Sequence, residues 1–120
     1  MKQAGQIVLT AFPYTDLSET KLRPVLLLKQ ASHTFDDWLV CMVSSQIHQA
    51  DAQLDEVVRT TDKDFIESGL KADSVLRLSR LAVLNGALLV GSIGKIDKQR
   101  LTQVKQRLAN WIIENESSQH

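Results

Sequence analysis

Cysteine and proline are scarce in this chain, which has one cysteine and two prolines among its 120 residues. A single cysteine excludes a disulfide within the chain, which is typical of proteins from a reducing compartment. Cys41 lies inside the apolar run LVCMV, so we expect a small buried hydrophobic side chain rather than a nucleophile. No proline- or serine-rich linker divides the sequence, and its length suits one compact domain over residues 1–120.

Neither sign of charge is in excess, because 14 lysines and arginines match 14 aspartates and glutamates. The lack of a broadly basic composition argues against a general electrostatic grip on duplex DNA, but it leaves room for a small cationic pocket. The apolar runs are too short to cross a bilayer, and the segment MKQAGQIVLTAF lacks the apolar core of a signal peptide. We therefore expect a soluble cytoplasmic protein with no membrane partner.

Motifs for metals and cofactors are also lacking. His33, His48 and His120 have no cysteine or carboxylate partners at ligand spacing. The glycines do not form a phosphate-binding loop, and no ladder of carboxylates follows Asp36 and Asp37. We expect no metal site and no cofactor.

What the sequence does contain is a series of short runs rich in β-forming residues, followed by one amphipathic helix. The helix, from Asp97 to about Glu114, is expected to begin with Asp97 as its N-cap and to bury one apolar stripe on the sheet. A shorter helix is expected at 62–68, with Asp62 as N-cap and Gly69 just past its end. This order predicts a mainly β (α+β) fold, a small antiparallel β-barrel with a short helix and a long C-terminal helix. The expected strands are 5–12, 24–29, 37–44, 53–58, 74–80 and 88–93, and the expected stripe is Leu101, Val104, Leu108, Trp111 and Ile112.

An arginine stands immediately before a proline and a buried-looking strand in the stretch KLRPVLLL, residues 21–28. Proline is tolerated at strand starts, so the pair places the Arg23 guanidinium at the rim of the sheet, where its planar fork matches phosphate oxygens. The competing interpretation is a rim arginine that pairs with Asp16 or Glu19, or that is simply solvated.

Two further polar groups are candidates for the same rim. Ser44, Ser45 and Gln46 end the third strand, and an antiparallel third strand would end near Arg23. Arg77 points to the same side of its strand as Ser79. Each group also fits an ordinary role, as a polar turn or as exposed strand residues.

The block GQIVLTAFPYTDLSETKLRPVLLL resembles the opening of the PemK/MazF family of toxin ribonucleases from bacterial type II toxin–antitoxin modules, and looser similarity continues through LVCMVSSQI and GLKADSVLRLSRLAVL to the closing helix. The resemblance implies an SH3-like barrel that forms a homodimer. It implies metal-independent cleavage of single-stranded RNA through attack of the 2′-hydroxyl, with a cyclic phosphate as product. Arg23, Ser44 and Arg77 then fall on catalytic positions, with Arg23 stabilising charge at the phosphate and Ser44 donating to a phosphate oxygen.

The same resemblance implies the remaining partners and contacts. A cognate antitoxin would neutralise the protein, and operator DNA would be bound together with the antitoxin. RNA would lie as an unpaired strand beside the 14–22 loop. The residues expected to bind RNA are Tyr14, Thr15, Lys21, Ser45, Gln46 and Ser79.

Ser79 departs from the family pattern, because one branch has an aspartate there that could accept the 2′-hydroxyl proton. This departure leaves two interpretations of a family member open, and a third, independent of Ser79, sets the family aside. The chain is an active endoribonuclease that uses other groups; or it is a weak or inactive relative that acts as an antitoxin- or nucleic-acid-binding module; or it is an SH3-like nucleic-acid-binding regulator unrelated to toxins.

Overall fold

The computed structural model describes residues 2–11 and 21–114. These residues form one six-stranded sheet, two α-helices and two single-turn 3-10 helices at Ile47–Gln49 and Gly86–Leu88. The α-helices are α1 (Phe65–Ser68) and α2 (Lys98–Ile112). The strands are β1 (Gln6–Thr10), β2 (Arg23–Gln30), β3 (Asp37–Ser44), β4 (Glu56–Val58), β5 (Ser74–Asn85) and β6 (Leu89–Lys95).

The strand order across the sheet is β4-β5-β3-β2-β1-β6, and every neighbouring pair is antiparallel. The predicted mainly β fold with a short and a long helix is thereby confirmed. The expected closure into a barrel is not seen, since no pairing joins the edge strands β4 and β6 within the described ranges. Short α1 packs against edge strand β6, where a Cβ on Gly69 would come within 2.0 Å of the Ile93 carbonyl oxygen.

Each face of the sheet buries its own apolar cluster. Along β2, Val25 to Leu28 are all buried, so alternate side chains supply both faces. We call one cluster the helix-side core, because Val104 and Leu108 of α2 cover it, and the other the second core. The helix-side core also contains Ile7, Leu26, Leu28, Cys41, Val43, Leu54, Val58, Leu76, Leu78 and Ile96, and the second core contains Val8, Val25, Leu27, Trp38, Val40, Met42 and Leu84.

Helix α2 begins as predicted, because the Asp97 side chain accepts the Arg100 backbone N–H at 2.7 Å. The expected apolar stripe is only partly buried. Val104 and Leu108 pack on the sheet, whereas Trp111 and Ile112 are 50% and 62% exposed. The prediction of a fully buried stripe is therefore wrong at its end, because the last turn of α2 lies beyond the helix-side core.

The short helix differs from the prediction at its start and agrees at its end. Asp64, not Asp62, precedes its first residue, and Asp62 instead accepts the Arg59 backbone N–H at 2.9 Å. Gly69 ends the helix in the left-handed conformation with φ of 73°, as expected of a C-terminal glycine.

Arg100 joins α2 to the region around β4. Its guanidinium donates to Glu56 at 2.9 Å, to Asp62 at 2.8 Å and to Asp64 at 2.9 and 3.0 Å. Burial by itself would raise the pKa of Asp64, but the bonds from Arg100 and from the Asp97 backbone hold it below its usual value. The pKa of Asp62 is lowered first by the Arg59 backbone N–H and then by Arg100. The network fixes the helix against the sheet.

Strand β5 is longer than predicted and contains a β-bulge. Arg77 pairs with Met42 of β3, but the next residue of β3, Cys41, pairs with Leu81. Residues 78–80 of β5 therefore have no partner on β3 in the register. The pairing then continues to Asn85, five residues beyond the predicted end. No helix in the described part of the chain is long and apolar enough to cross a membrane.

Candidate functional site

The start of β2 and the end of β3 meet at one end of the sheet. Val25 pairs with Met42 and Leu26 with Cys41, so two further steps of this register place Arg23 opposite Ser44. Directly opposite residues of antiparallel strands have Cα atoms about 4.5–5.5 Å apart and share a face. Arg23 is exposed and Ser44 is half-buried. We call this end of the second-core face the rim.

Arg77 lies on the same face, one row further from the end of the sheet. It pairs with Met42, whose other neighbour is Val25, and both belong to the second core. One guanidinium nitrogen donates weakly to the Gln49 side chain at 3.4 Å, whereas the buried Nε has no hydrogen-bond partner among the described residues. A half-buried guanidinium on this face is suited to bind an anion through its accessible nitrogens.

The polar exit of β3 forms a tight turn. The Ser44 hydroxyl oxygen accepts the Gln46 backbone N–H at 3.0 Å, an arrangement typical of serine at a turn. This bond uses the oxygen as an acceptor, so the hydroxyl hydrogen can still be donated to another group. Ser45 and Gln46 are exposed beside it, in positions open to a ligand at the rim.

Ser79 is engaged by a carboxylate that sequence reasoning missed. Its hydroxyl lies 3.0 and 3.2 Å from the two carboxylate oxygens of Asp55, and its backbone N–H donates to the same side chain at 3.0 Å. Asp55 is only 6% exposed. The sequence signal was weak, because Asp55 lies in the polar stretch DAQLDE, far from Ser79 along the chain.

The remaining predicted RNA-binding residues divide into two groups. Lys21 is exposed immediately before β2, so it adds a positive charge next to Arg23. Tyr14 and Thr15 lie outside the described residues.

Cys41 is not part of the site. It is fully buried in the helix-side core. This burial is the main cause that raises the pKa of the Cys41 thiol, and the charge of Asp55 raises it further. This agrees with the predicted role as a small hydrophobic residue. Among residues 2–11 and 21–114, no group of histidine, cysteine and carboxylate side chains is arranged to hold a metal ion.

A surface pocket of about 230 Å³ lies away from the rim, beside the start of α2. Its charged groups are paired with one another, Arg100 with Asp62 and Lys63 with Asp97. Arg100 also reaches Glu56, which pairs with Leu76 on the helix-side face. We interpret this pocket as part of the packing of α2, not as a binding site.

The sequence of this chain was compared with those of known protein families. Residues 3–112 match the family described as "PemK-like, MazF-like toxin of type II toxin-antitoxin system". A comparison with curated proteins finds no significant match.

Solved structures with the same fold include three toxins or toxin complexes. A mycobacterial endoribonuclease in complex with its cognate antitoxin is 13% identical, with a TM-score of 0.65 over 93% of this chain and 95% of that one. The Mycobacterium tuberculosis toxin MazF-mt6 is 15% identical, with a TM-score of 0.65 over 92% and 98%. A MazE–MazF complex from Deinococcus radiodurans is 15% identical, with a TM-score of 0.66 over 95% and 97%.

Proposed function

Because this chain belongs to the PemK-like, MazF-like toxin family of type II toxin–antitoxin systems, we propose that it is a metal-independent endoribonuclease that cleaves single-stranded RNA. The observation that carries the proposal is the placement of Arg23, Ser44 and Arg77 on one face of the sheet. Two guanidinium groups and a hydroxyl at one rim supply the donors that a phosphate needs.

The proposed reaction is a transesterification within the RNA. The 2′-oxygen attacks the neighbouring phosphorus, the bond from phosphorus to the 5′-oxygen breaks, and the products are a 2′,3′-cyclic phosphate and a 5′-hydroxyl. The phosphate oxygens gain negative charge during the attack. Arg23 stabilises this charge, and Ser44 donates its hydroxyl hydrogen to a phosphate oxygen while the Gln46 backbone holds its oxygen in place.

Arg77 contributes a second positive charge on the same face. The accessible part of its half-buried guanidinium supports a contact with the phosphate or with the leaving 5′-oxygen. Lys21, Ser45 and Gln46 are exposed around the rim and bind the flanking nucleotides, to which Tyr14 and Thr15 also contribute.

The test is cleavage of single-stranded RNA by the purified protein in excess EDTA. Wild type is expected to produce cyclic-phosphate ends. Arg23→Ala and Ser44→Ala each remove one donor, so each is expected to lower the rate about 10²–10³-fold. Ser44→Thr keeps the hydroxyl and is expected to stay within a few-fold of wild type.

Lys63→Ala is the control, because Lys63 is an exposed cation paired with Asp97 beside the start of α2, away from the rim. It is expected to cleave at the wild-type rate. If wild type leaves the RNA intact, or if Arg23→Ala cleaves as fast as the Lys63 control, the proposal is wrong.

A second candidate function is a binding module without catalysis. It is favoured by Ser79, a neutral residue where one family branch has a carboxylate. In this case the rim binds an antitoxin or nucleic acid, and induction of the protein does not inhibit growth. Growth arrest that depends on Arg23 and is relieved by a co-expressed antitoxin counts against this candidate.

We also propose that the protein forms a homodimer and is neutralised in the cytoplasm by a cognate antitoxin, with which it binds operator DNA. Solved relatives in complex with an antitoxin support the first partner. Exposed apolar residues support protein interfaces, namely Leu81, Val83, Trp111, Ile112 and Ile113. Sedimentation that detects only monomer at micromolar concentration would contradict the dimer.

A further inference from the structure

Asp55 is a buried carboxylate with no part in the reaction described so far. It precedes β4, whose first residue Glu56 pairs with Leu76 on the helix-side face. Alternation along the strand therefore turns Asp55 to the other face, the face of Arg77. There its Oδ1 accepts the Ser79 backbone N–H, and its Oδ2 accepts the Asp51 backbone N–H, both at 3.0 Å.

The Ser79 hydroxyl completes this arrangement. The Ser79 hydroxyl donates to Oδ1 of Asp55, with 3.0 Å between the two oxygens. The lone pairs of the serine oxygen are then directed away from Asp55. Ser79 is exposed and Asp55 is buried, so the serine is the member of this pair that a ligand can contact.

The bulge in β5 exposes this serine beside Arg77, on the side of Arg77 that faces away from the Arg23–Ser44 row. Ser79 follows Arg77 by two residues on the same strand and has no partner on β3. Leu78, buried in the helix-side core, holds the bulge in place. A ligand that contacts Arg77 can therefore also reach the oxygen of Ser79.

We propose that Ser79 and Asp55 form a proton relay that accepts the 2′-hydroxyl proton during RNA cleavage, an inference that rests on the proposed nuclease function. The Ser79 oxygen takes the proton from the 2′-hydroxyl as its own proton passes to Asp55. The freed 2′-oxygen forms its bond to phosphorus while the bond to the 5′-oxygen breaks. Water protonates the 5′-oxygen, and Asp55 returns its proton to water.

This inference gives Asp55 a role through Ser79, so it is a positioning residue and Ser79 is the group that touches RNA. The competing interpretation is a purely structural latch, in which Asp55 only ties the segment before β4 to β5. A latch affects folding stability, whereas a relay affects the chemical step after the RNA is bound.

The experiment measures kcat, KM and the melting temperature of single and double variants. Asp55→Asn keeps an acceptor for the Ser79 groups but cannot take up a proton. Its kcat is expected to fall about 100-fold with KM within about 3-fold of wild type, since general bases contribute roughly 10²–10⁴-fold. The kcat of Ser79→Ala is expected to fall by the same factor. Ser79→Thr keeps the hydroxyl, so its kcat is expected to stay within a few-fold of wild type.

The double variant tests whether the two residues act together. Because each single change already breaks the relay, Asp55→Asn with Ser79→Ala is expected to be no slower than either single variant. The matched control is Asp64→Asn. Asp64 is likewise buried and accepts a backbone N–H, that of Asp97 at 3.2 Å, but it belongs to the Arg100 network on the helix side of the sheet. This control is expected to lower the melting temperature and leave kcat unchanged.

The outcomes separate the relay from the nuclease function. If wild type and Ser79→Ala cleave with equal kcat while Arg23→Ala is inactive, the relay is wrong and the nuclease function stands. Ser79→Ala keeps this test valid even if Asp55→Asn fails to fold. If wild type does not cleave RNA at all, both proposals are refuted.

Discussion

Replacing Arg100 with alanine should be one of the most damaging single changes outside the apolar cores. The Arg100 side chain is 13% exposed and that of Asp64 is 3% exposed. Removing the arginine leaves Asp64 as a buried charge held only by backbone N–H groups among the described residues, those of Asp97 and of Asp64 itself. Breaking such a buried pair costs about 3–5 kcal/mol, a large share of a typical total of about 5–15 kcal/mol.

The effect should depend on pH in a defined direction. In wild type the pKa values of Asp62 and Asp64 are lowered. These groups therefore contribute stability above the unfolded aspartate pKa of about 3.9, and the contribution is lost as the pH falls below it. Without Arg100, burial acts on Asp64 without its main counter-charge and favours the protonated form. The stability of the variant should then rise as the pH is lowered from neutral.

The assay is urea unfolding of both proteins at about pH 7 and at about pH 4.5. The difference in unfolding free energy should be largest at neutral pH and smaller in acid. Arg59→Ala is the control, because the exposed Arg59–Asp73 pair is worth about 0–1 kcal/mol. A loss from Arg100→Ala that is no larger than that of the control, or one that is equal at both pH values, would refute the reasoning.

Three further predictions concern single positions. Asp97→Ala removes the N-cap of α2 and should cost about 1 kcal/mol in thermal unfolding. Gly69→Ala should lower the free energy of unfolding by about 2 kcal/mol or more, because the residue has a φ of 73° and an added Cβ would meet Ile93. Gly91→Ala is the control and should change it by no more than about 0.5 kcal/mol, since nothing lies within 4 Å of an added Cβ. The Cys41 thiol should react with a thiol reagent only on unfolding, because burial raises its pKa; rapid reaction in the native protein would contradict this.

Local sequence patterns predicted the ends of a strand or helix correctly where polar, capping or glycine residues flank it. Strand β3 has the predicted bounds, Asp37–Ser44, because polar residues flank an apolar run on both sides. The Asp97 cap and the Gly69 terminus were also readable, since each depends on residues a few positions away. The adjacency of the start of β2 and the end of β3 followed from antiparallel pairing of consecutive strands.

The features that were missed depend on contacts between distant parts of the chain. The predicted end of β5 at Arg80 is too early, because a bulge interrupts the alternation and the pairing then continues to Asn85. The three carboxylates bound to Arg100 and the bond between Ser79 and Asp55 join segments more than 20 residues apart. No local sequence pattern predicts such distant partners. The exposure of the last turn of α2 could not be predicted either, because it depends on where the sheet ends.

The bulge in β5 also separates interior packing from surface chemistry. Leu78 points into the helix-side core and carries the packing, while the neighbouring Ser79 is exposed and has no partner on β3 in the register. A different side chain at position 79 can therefore change the chemistry beside Arg77 without altering any apolar side chain of the interior.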